Sequence, residues 1–225
     1  MDFTFGIITN GSTNIDSIID SIENQNIPNY EIIVVGGNSI ERKNIKHISF
    51  DEDIKKMWIT RKKNLITQNA KYDNIVYMHD YIYLLPGWYD GHLKYGSDFN
   101  ILMDKIINID NTRFRDWTLW VELQEDLSYI MNNRQFLLPY DITHLSKYMY
   151  ISGAYWIAKK NIMEEFPLNE KLSWGYSEDV EWSMRVREKY NFSMNINSSV
   201  KFLKKKDICD FYEMDEYSFK IIKNK

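Results

Sequence analysis

The sequence predicts an α/β fold: a mostly parallel, doubly wound central sheet with helices on both faces. Three observations carry that expectation. Short apolar runs of strand length end in polar or glycine turns near residues 9–12, 36–38 and 79–80. Stretches with apolar residues at helical spacing lie between these runs. The run Glu31 to Val35 is continuously apolar after its first residue, the pattern of a parallel strand covered on both faces.

In chain order, Phe3 to Thr9 is the first strand, closed by Asn10, Gly11 and Ser12. Ile15, Ile18, Ile19 and Ile22 then mark an amphipathic helix. Glu31 to Val35 follows Pro28 and Asn29 as the second strand and is ended by Gly36 and Gly37, completing a β-α-β unit. Ile45 to Phe50 reads as a third strand, Thr60 as the cap of a helix through Asn69, and Asn74 to Met78 as a strand leading to His79 and Asp80. In a doubly wound sheet the functional loops lie at the carboxyl ends of the strands, which gathers Thr9, Asn10, Gly37, Asn38, His79 and Asp80. Pro86, Gly87 and Trp88 turn the chain into a short helix. Ile101 to Tyr150 mixes strand-like and aromatic segments without a legible order. Ser152 and Gly153 then precede an apolar strand, Ala154 to Ala158, and a helix near Asn161 to Phe166. No repeat or linker divides the 225 residues, so one domain is expected.

Composition bounds the function. A hydrophobic share of 44% supports a real core, and a net charge of -4 gives no positive field to gather nucleic acid. The single cysteine, Cys209, excludes an intramolecular disulfide and a multi-cysteine zinc site. No leader-like N-terminus and no bilayer-spanning apolar run is present, so a cytoplasmic protein without a transmembrane segment is expected. Seven tryptophans and 16 tyrosines supply amphipathic rings suited to stacking on a ligand such as a sugar, or to burial.

The segment Trp174 to Trp182, WGYSEDVEW, concentrates chemistry in nine positions. Ser177 is placed to cap a helix, so Glu178 and Asp179 occupy a first turn whose backbone N–H groups and dipole favour carboxylates. Flanked by Trp174, Tyr176 and Trp182, they either line a cleft where one removes a proton from a substrate, or simply stabilise the helix. Asp80 ends a buried strand, where a carboxylate holds a divalent cation against a diphosphate; His79 beside it is a metal ligand or a hydrogen-bonded structural histidine. Lys204, Lys205 and Lys206 read as a solvated basic run. The first turn lacks the spaced glycines of a dinucleotide fingerprint. The chain has no Walker loop, no G-x-S-x-G elbow and no H-E-x-x-H pair.

Three stretches together resemble the GT-A, family-two-like glycosyltransferases: FTFGIITNGSTNIDSIIDSIENQNIPNYEIIVVGG, ITRKKNLITQNAKYDNIVYMHDYIYL, and SGAYWIAKKNIMEEFPLNEKLSWGYSEDVEWSMRVREK. The resemblance covers most of the chain outside Ile101 to Met149 and the tail. Small bacterial and large-DNA-virus glycosyltransferases are similar, with host cytoplasm the expected location if the source is viral. It implies a GT-A fold with a nucleotide-sugar-binding half over residues 1–100 and an acceptor-binding, catalytic half over 101–225. The implied activity is transfer of a monosaccharide from a nucleotide sugar, with a UDP-sugar the expected donor, to a hydroxyl of a glycan or other small acceptor, with inversion.

By the same resemblance, Thr9, Asn10 and Gly11 meet the nucleotide, and Gly36, Gly37 and Asn38 form the loop that in the family carries an aspartate to the base. Asn38 stands without that aspartate and would supply the base or ribose contacts. Arg61, Lys63 and Asn64 match the helix beside the nucleotide, with a solvated helix face the alternative for Lys62 and Lys63. The aspartate-rich metal motif is reduced to His79, Asp80 and Tyr81, implying Mn²⁺ or Mg²⁺ on Asp80 and His79. Ser152 and Gly153 touch the donor sugar. Trp156, Trp174 and Tyr176 are acceptor-side stacking residues, with core packing the alternative for Trp156. Asp179 matches the catalytic base, with Glu178 beside it. A sugar-phosphate nucleotidyltransferase would share the sheet but needs a basic first loop, which TNGSTN lacks. A non-catalytic carbohydrate-binding module would explain the tryptophans but not the carboxylate pair.

Overall fold

The computed structural model describes residues 1–120, 135–206 and 211–212. Its larger sheet has eight strands in the order β3-β2-β1-β4-β10-β6-β11-β5. These are β1 (Phe3–Ile8), β2 (Tyr30–Val35), β3 (Ile45–Ile48), β4 (Asn74–His79), β5 (Ile82–Leu84), β6 (Ile101–Ile107), β10 (Tyr155–Lys159) and β11 (Phe192–Phe202). The first four are mutually parallel, as the sequence predicts. The strand Ala154 to Ala158 is also present, as β10, but runs antiparallel to both β4 and β6. Strand β11 is parallel to β6 and antiparallel to β5.

Helices cover both faces of β1, and the sequence shows why. Side chains alternate along a strand. Phe3 and Phe5 meet the ring of Trp88 at 5.1 and 5.4 Å, which puts helix α3 (Trp88–Tyr95) on one face. Gly6, the next residue and so on the opposite face, looks toward Ile66 of α2 (Ile59–Asn69). A side chain at Gly6 would collide with Ile66, so the glycine lets α2 settle directly on the sheet. Helix α1 (Asp16–Glu23) buries Ile18, Ile19 and Ile22, the face its spacing predicts.

The segment the sequence leaves unordered, Ile101 to Tyr150, supplies β6 of the large sheet and three strands of a second, four-stranded sheet, β7 (Thr118–Trp120), β8 (Gln135–Leu137) and β9 (Met149–Tyr150), which β12 (Phe211–Tyr212) from the tail completes in the order β12-β8-β7-β9. Residues 121–134 of that segment, and Cys209, lie outside the described residues. The last helices are α4 (Lys160–Glu165) and α5 (Glu178–Val186). Among the described residues no helix is long and apolar enough to cross a membrane.

Two helix starts differ from expectation. Thr60 lies inside α2 rather than capping it; its hydroxyl donates to the Leu172 carbonyl at 2.8 Å, a partner brought from far along the chain. Ser177 does precede α5, but in a left-handed conformation (φ 53°) that makes no side-chain cap. Asp179 instead accepts the N–H of Val180 at 3.0 Å.

A polar knot joins the sheet to α3. Buried Asp104 of β6 accepts Trp88 Nε1 at 2.8 Å, His92 Nε2 at 3.0 Å and Tyr155 Oη at 2.5 Å on one oxygen, and Asn195 Nδ2 at 3.1 Å on the other. It ties β6, β10, β11 and α3 together behind the strand ends that carry the site.

Candidate active site

Strands β1, β2 and β3 step outward in one direction, and β4 returns to the other side of β1. That reversal opens a crevice at the carboxyl ends of β1 and β4, the usual ligand position in open α/β sheets. Ile8 and His79 are register partners there, and the next residue of each strand meets across the gap: Thr9 Oγ1 donates to Asp80 Oδ2 at 2.8 Å.

Three cavities line up along this crevice. The first, of about 510 Å³, is bounded by Thr9, Gly11, Thr13, Gly37, Asn38 and Arg42. Gly11 (φ +84°) and Gly37 (φ +68°) bring the two loops together backbone to backbone, with a Cβ on Gly37 only 3.2 Å from Gly11 Cα. Side chains at either position would force the loops apart. The second, of about 660 Å³, shares Thr9 with the first and adds Asn10, Glu52, Lys62, Asp80 and Lys204. The third, of about 200 Å³, holds Arg115, Ser152, Gly153, Glu178 and Asp179. His79, Tyr81, Trp174 and Lys206 line both the second and the third, so Asp80 and Asp179 face one continuous groove.

The carboxylate pair is held from two sides. Asp179 Oδ2 accepts the Gly153 N–H at 3.0 Å, so the loop before β10 fixes its direction. Glu178 is buried, and burial raises its pKa; Lys63 opposes that rise and Asp179 adds to it. Lys63, placed by sequence either beside the nucleotide or in solvent, is instead buried in the core. It donates to the Gly153 carbonyl at 2.7 Å and stands 4.5 Å above the ring of Trp156. Burial lowers its pKa to about 8, against the attraction of Glu178 and Asp179. An unfolded lysine keeps its proton to about 10.5, so between these values the unfolded state binds more protons and raising the pH stabilises the fold. Lys206, lowered to about 8 chiefly by burial, acts in the same sense. Above pH 10 the buried Tyr77 and Tyr155 hydroxyls, whose ionisation burial opposes, reverse the trend. Thermal denaturation should therefore show Tm rising from pH 8 toward 10, and a steady fall across that window would contradict the burial of these ammonium groups.

Gly153 also permits the geometry. A Cβ there would lie 2.9 Å from Asp179 Oδ2 and 3.2 Å from its Cβ. Gly153→Ala is expected to swing the Asp179 carboxylate off its N–H anchor while leaving the melting transition cooperative; a crystal structure of the variant with the Asp179–Gly153 hydrogen bond intact would contradict this.

Several sequence-predicted site residues occupy other places. Trp156 is fully buried and stacked on Tyr77 at 4.7 Å, so it packs the core and offers no face to an acceptor. Arg61 pairs with Glu170 at 3.0 Å, and Asn64 exchanges hydrogen bonds with the backbone of Leu168 at 2.9 and 3.0 Å. With Thr60 and Trp58, whose Nε1 donates to the Glu170 carbonyl, they fasten the loop before α5 rather than line the groove. That loop presents Trp174, half exposed, on the groove wall, and Tyr176, mostly exposed, two residues on and outside the cavity linings. Lys62 donates to the Thr9 carbonyl and pairs with Glu52, beneath the first loop. Of the basic run, Lys204 and Lys205 are exposed as expected, but Lys206 is half-buried: its Nζ donates to Tyr81 Oη at 2.7 Å, and the Lys204 and Lys206 ammoniums both lie 4.3 Å from the Tyr81 ring centroid.

The resemblance implies a divalent cation on Asp80 and His79, and the side chains present do not fit one. Asp80 brings a single carboxylate, one oxygen of which accepts Thr9 Oγ1, and where a second carboxylate would stand Tyr81 is engaged by Lys206. His79 is kept neutral by burial, reinforced by Lys63, Lys206 and Lys204, so a metal ion would join a cluster of ammonium groups. Among the described residues no three His, Cys, Asp or Glu side chains gather.

The β3-β2-β1-β4 half sheet, the antiparallel return of β10 and the carboxylate pair opposite Asp80 define a GT-A fold. Solved structures share it. TarS of S. aureus in complex with UDP-GlcNAc matches with a TM-score of 0.60 at 13% identity, over 92% of this chain and 59% of that one. GalNAc-T7 with UDP, GalNAc and Mn²⁺ matches with a TM-score of 0.62 at 13% identity, over 93% of this chain and 43% of that one. The chain thus spans about three-fifths or less of the proteins it resembles. No protein-family model and no curated protein sequence matches it.

Proposed function

We propose that the chain is a glycosyltransferase that moves a monosaccharide from a nucleoside-diphosphate sugar, with UDP the expected nucleotide, to an acceptor hydroxyl. The observation that carries this reading is the single groove running from Gly37 and Asn38, past Asp80, to Glu178 and Asp179. Its order suits a nucleoside, a diphosphate and a sugar laid end to end. The first and second cavities each fall in the roughly 300–1,000 Å³ range typical of small-ligand sites. TarS and GalNAc-T7, structures holding UDP-GlcNAc and UDP respectively, support the nucleotide class.

The reaction is one displacement. The Asp179 carboxylate takes the proton of the acceptor hydroxyl as that oxygen bonds to the anomeric carbon, and the bond from that carbon to the diphosphate oxygen breaks with its electron pair leaving on the nucleoside diphosphate. Attack opposite the leaving group inverts the configuration. Asp179 is the base because its carboxylate lines the third cavity and is aimed by the Gly153 N–H. Glu178, buried against Lys63, sets the field around it. Trp174 and Tyr176 give the acceptor an aromatic edge on a loop that α2 holds rigid.

Incubating the chain with UDP-, GDP-, CDP- and dTDP-sugars without acceptor tests the class. Slow release of free nucleoside diphosphate from at least one donor is expected; release of a sugar phosphate, or no turnover with any donor, would contradict a transferase.

A further inference from the structure

We propose that the ammonium groups of Lys204 and Lys206, on the segment that leaves β11, take up the negative charge of the donor's diphosphate beside Asp80, so that donor binding and transfer proceed without a divalent metal. The inference rests on the reading of the groove as a nucleotide-sugar site and adds the means by which the leaving group is stabilised.

The geometry is specific. Lys206 is anchored through its backbone N–H to Asn108 Oδ1 at 3.0 Å and through Nζ to Tyr81 Oη at 2.7 Å, and it lines both the second and third cavities. Lys204 reaches the same aromatic ring and opens into the second cavity. Two ammoniums over one ring repel each other unless an anion lies between or beside them, so the fold holds this pair at a cost. That cost shows in Lys206, whose proton is loosened by burial first and by Lys204 and Arg115 next.

The carboxylates lining the second cavity cancel this charge only in part. Glu52 is paired with Lys62, and Asp80 opposes one of the two ammoniums, which leaves the cavity net positive with Lys56 also on its wall. As the bond from the anomeric carbon to the diphosphate breaks, the electron pair collects on an oxygen next to two fixed cations in a partly dry groove, where such a charge is stabilised without reorganising solvent. No proton need move from either lysine; each serves as a fixed positive charge and hydrogen-bond donor.

The test is calorimetric titration of the full chain with UDP, GDP, CDP and dTDP, once in EDTA and once with Mn²⁺. At least one nucleotide should bind as tightly in EDTA as with Mn²⁺. Lys206→Met should weaken that binding by about ten- to a hundredfold, the loss expected for a charge-assisted hydrogen bond. Lys204→Met should weaken it less, and Lys206→Arg should retain most of it, with circular dichroism confirming that each variant is folded. Binding that appears only with Mn²⁺ would overturn the lysine proposal and leave the transferase reading intact. Metal-independent binding that Lys206→Met does not alter would overturn it as well. Absence of binding by all four nucleotides under both conditions would remove the transferase reading together with this one. The comparison of EDTA with Mn²⁺ on the unaltered chain decides the metal question even if a variant fails to fold.

Discussion

Asp179→Asn is expected to lower the transfer rate by about two to four orders of magnitude, the usual contribution of a positioned general base. The substitution keeps the shape of the side chain. Its amide oxygen can still accept the Gly153 N–H that Asp179 accepts at 3.0 Å, so the loop before β10 stays in place. What is lost is the capacity to take a proton from the acceptor. Nucleotide binding, proposed at Thr9, Asp80 and the first two cavities, should be unchanged. Single-turnover kinetics with saturating donor, alongside nucleotide titration, separates the two quantities. Near-normal turnover would take Asp179 out of the reaction. A parallel loss of nucleotide affinity would mean that the carboxylate organises the groove rather than the proton transfer.

The largest stability effect is expected away from the groove, at Asp104. Asp104→Leu strips the acceptor from His92 Nε2 and Tyr155 Oη, both fully buried. Trp88 Nε1 keeps Tyr155 Oη as a partner at 2.9 Å, so two donors are orphaned outright. At about 1–3 kcal/mol for each unsatisfied buried group, the loss is roughly 2–6 kcal/mol. That is a large part of the 5–15 kcal/mol typical of a whole domain, by about the same order. Urea denaturation followed by tryptophan fluorescence measures it. A variant with an unchanged midpoint would show that the polar knot is replaceable by apolar packing.

The parts of the fold legible in the sequence are those whose signal is local. Strand β1, helix α1, strand β2 and strand β4 announce themselves by apolar runs, helical spacing and the turns that end them, and the structure has all four near the expected bounds. The gathering of Thr9 and Asp80 follows from that half alone, since it needs only the parallel pairing of β1 with β4. Where pairing partners lie far apart, the signal fails. Strand β10 is as apolar as a parallel strand yet runs antiparallel between β4 and β6, because burial on both faces gives the same composition in either direction. Strands β7 and β9 have three and two residues and acquire their identity only by pairing across the small sheet.

The site was half legible for the same reason. Glu178 and Asp179 stand out because a first helical turn and two flanking tryptophans share nine residues. Trp156, Lys63, Lys204 and Lys206 could not be placed from their neighbours. Lys63 looks like part of a solvated helix face, but the carbonyl of Gly153 and the face of Trp156 receive it in the interior. Lys206 looks like the end of a basic run, but it follows a strand whose end lies against Tyr81, and that ring draws it into the groove. Phe114 and Arg115, which also line the third cavity, carry no sequence signal, since the segment before β7 is placed by long-range contacts with the ends of β6 and β11.

The most direct test is a crystal structure of the chain with a hydrolysis-resistant analogue of whichever nucleotide sugar it turns over. The nucleoside is expected between Gly11, Gly37 and Asn38, the diphosphate beside Asp80 and Lys206, and the anomeric carbon turned toward Asp179. A ligand bound on another face, or one lying in the groove with its sugar directed away from Asp179, would contradict it.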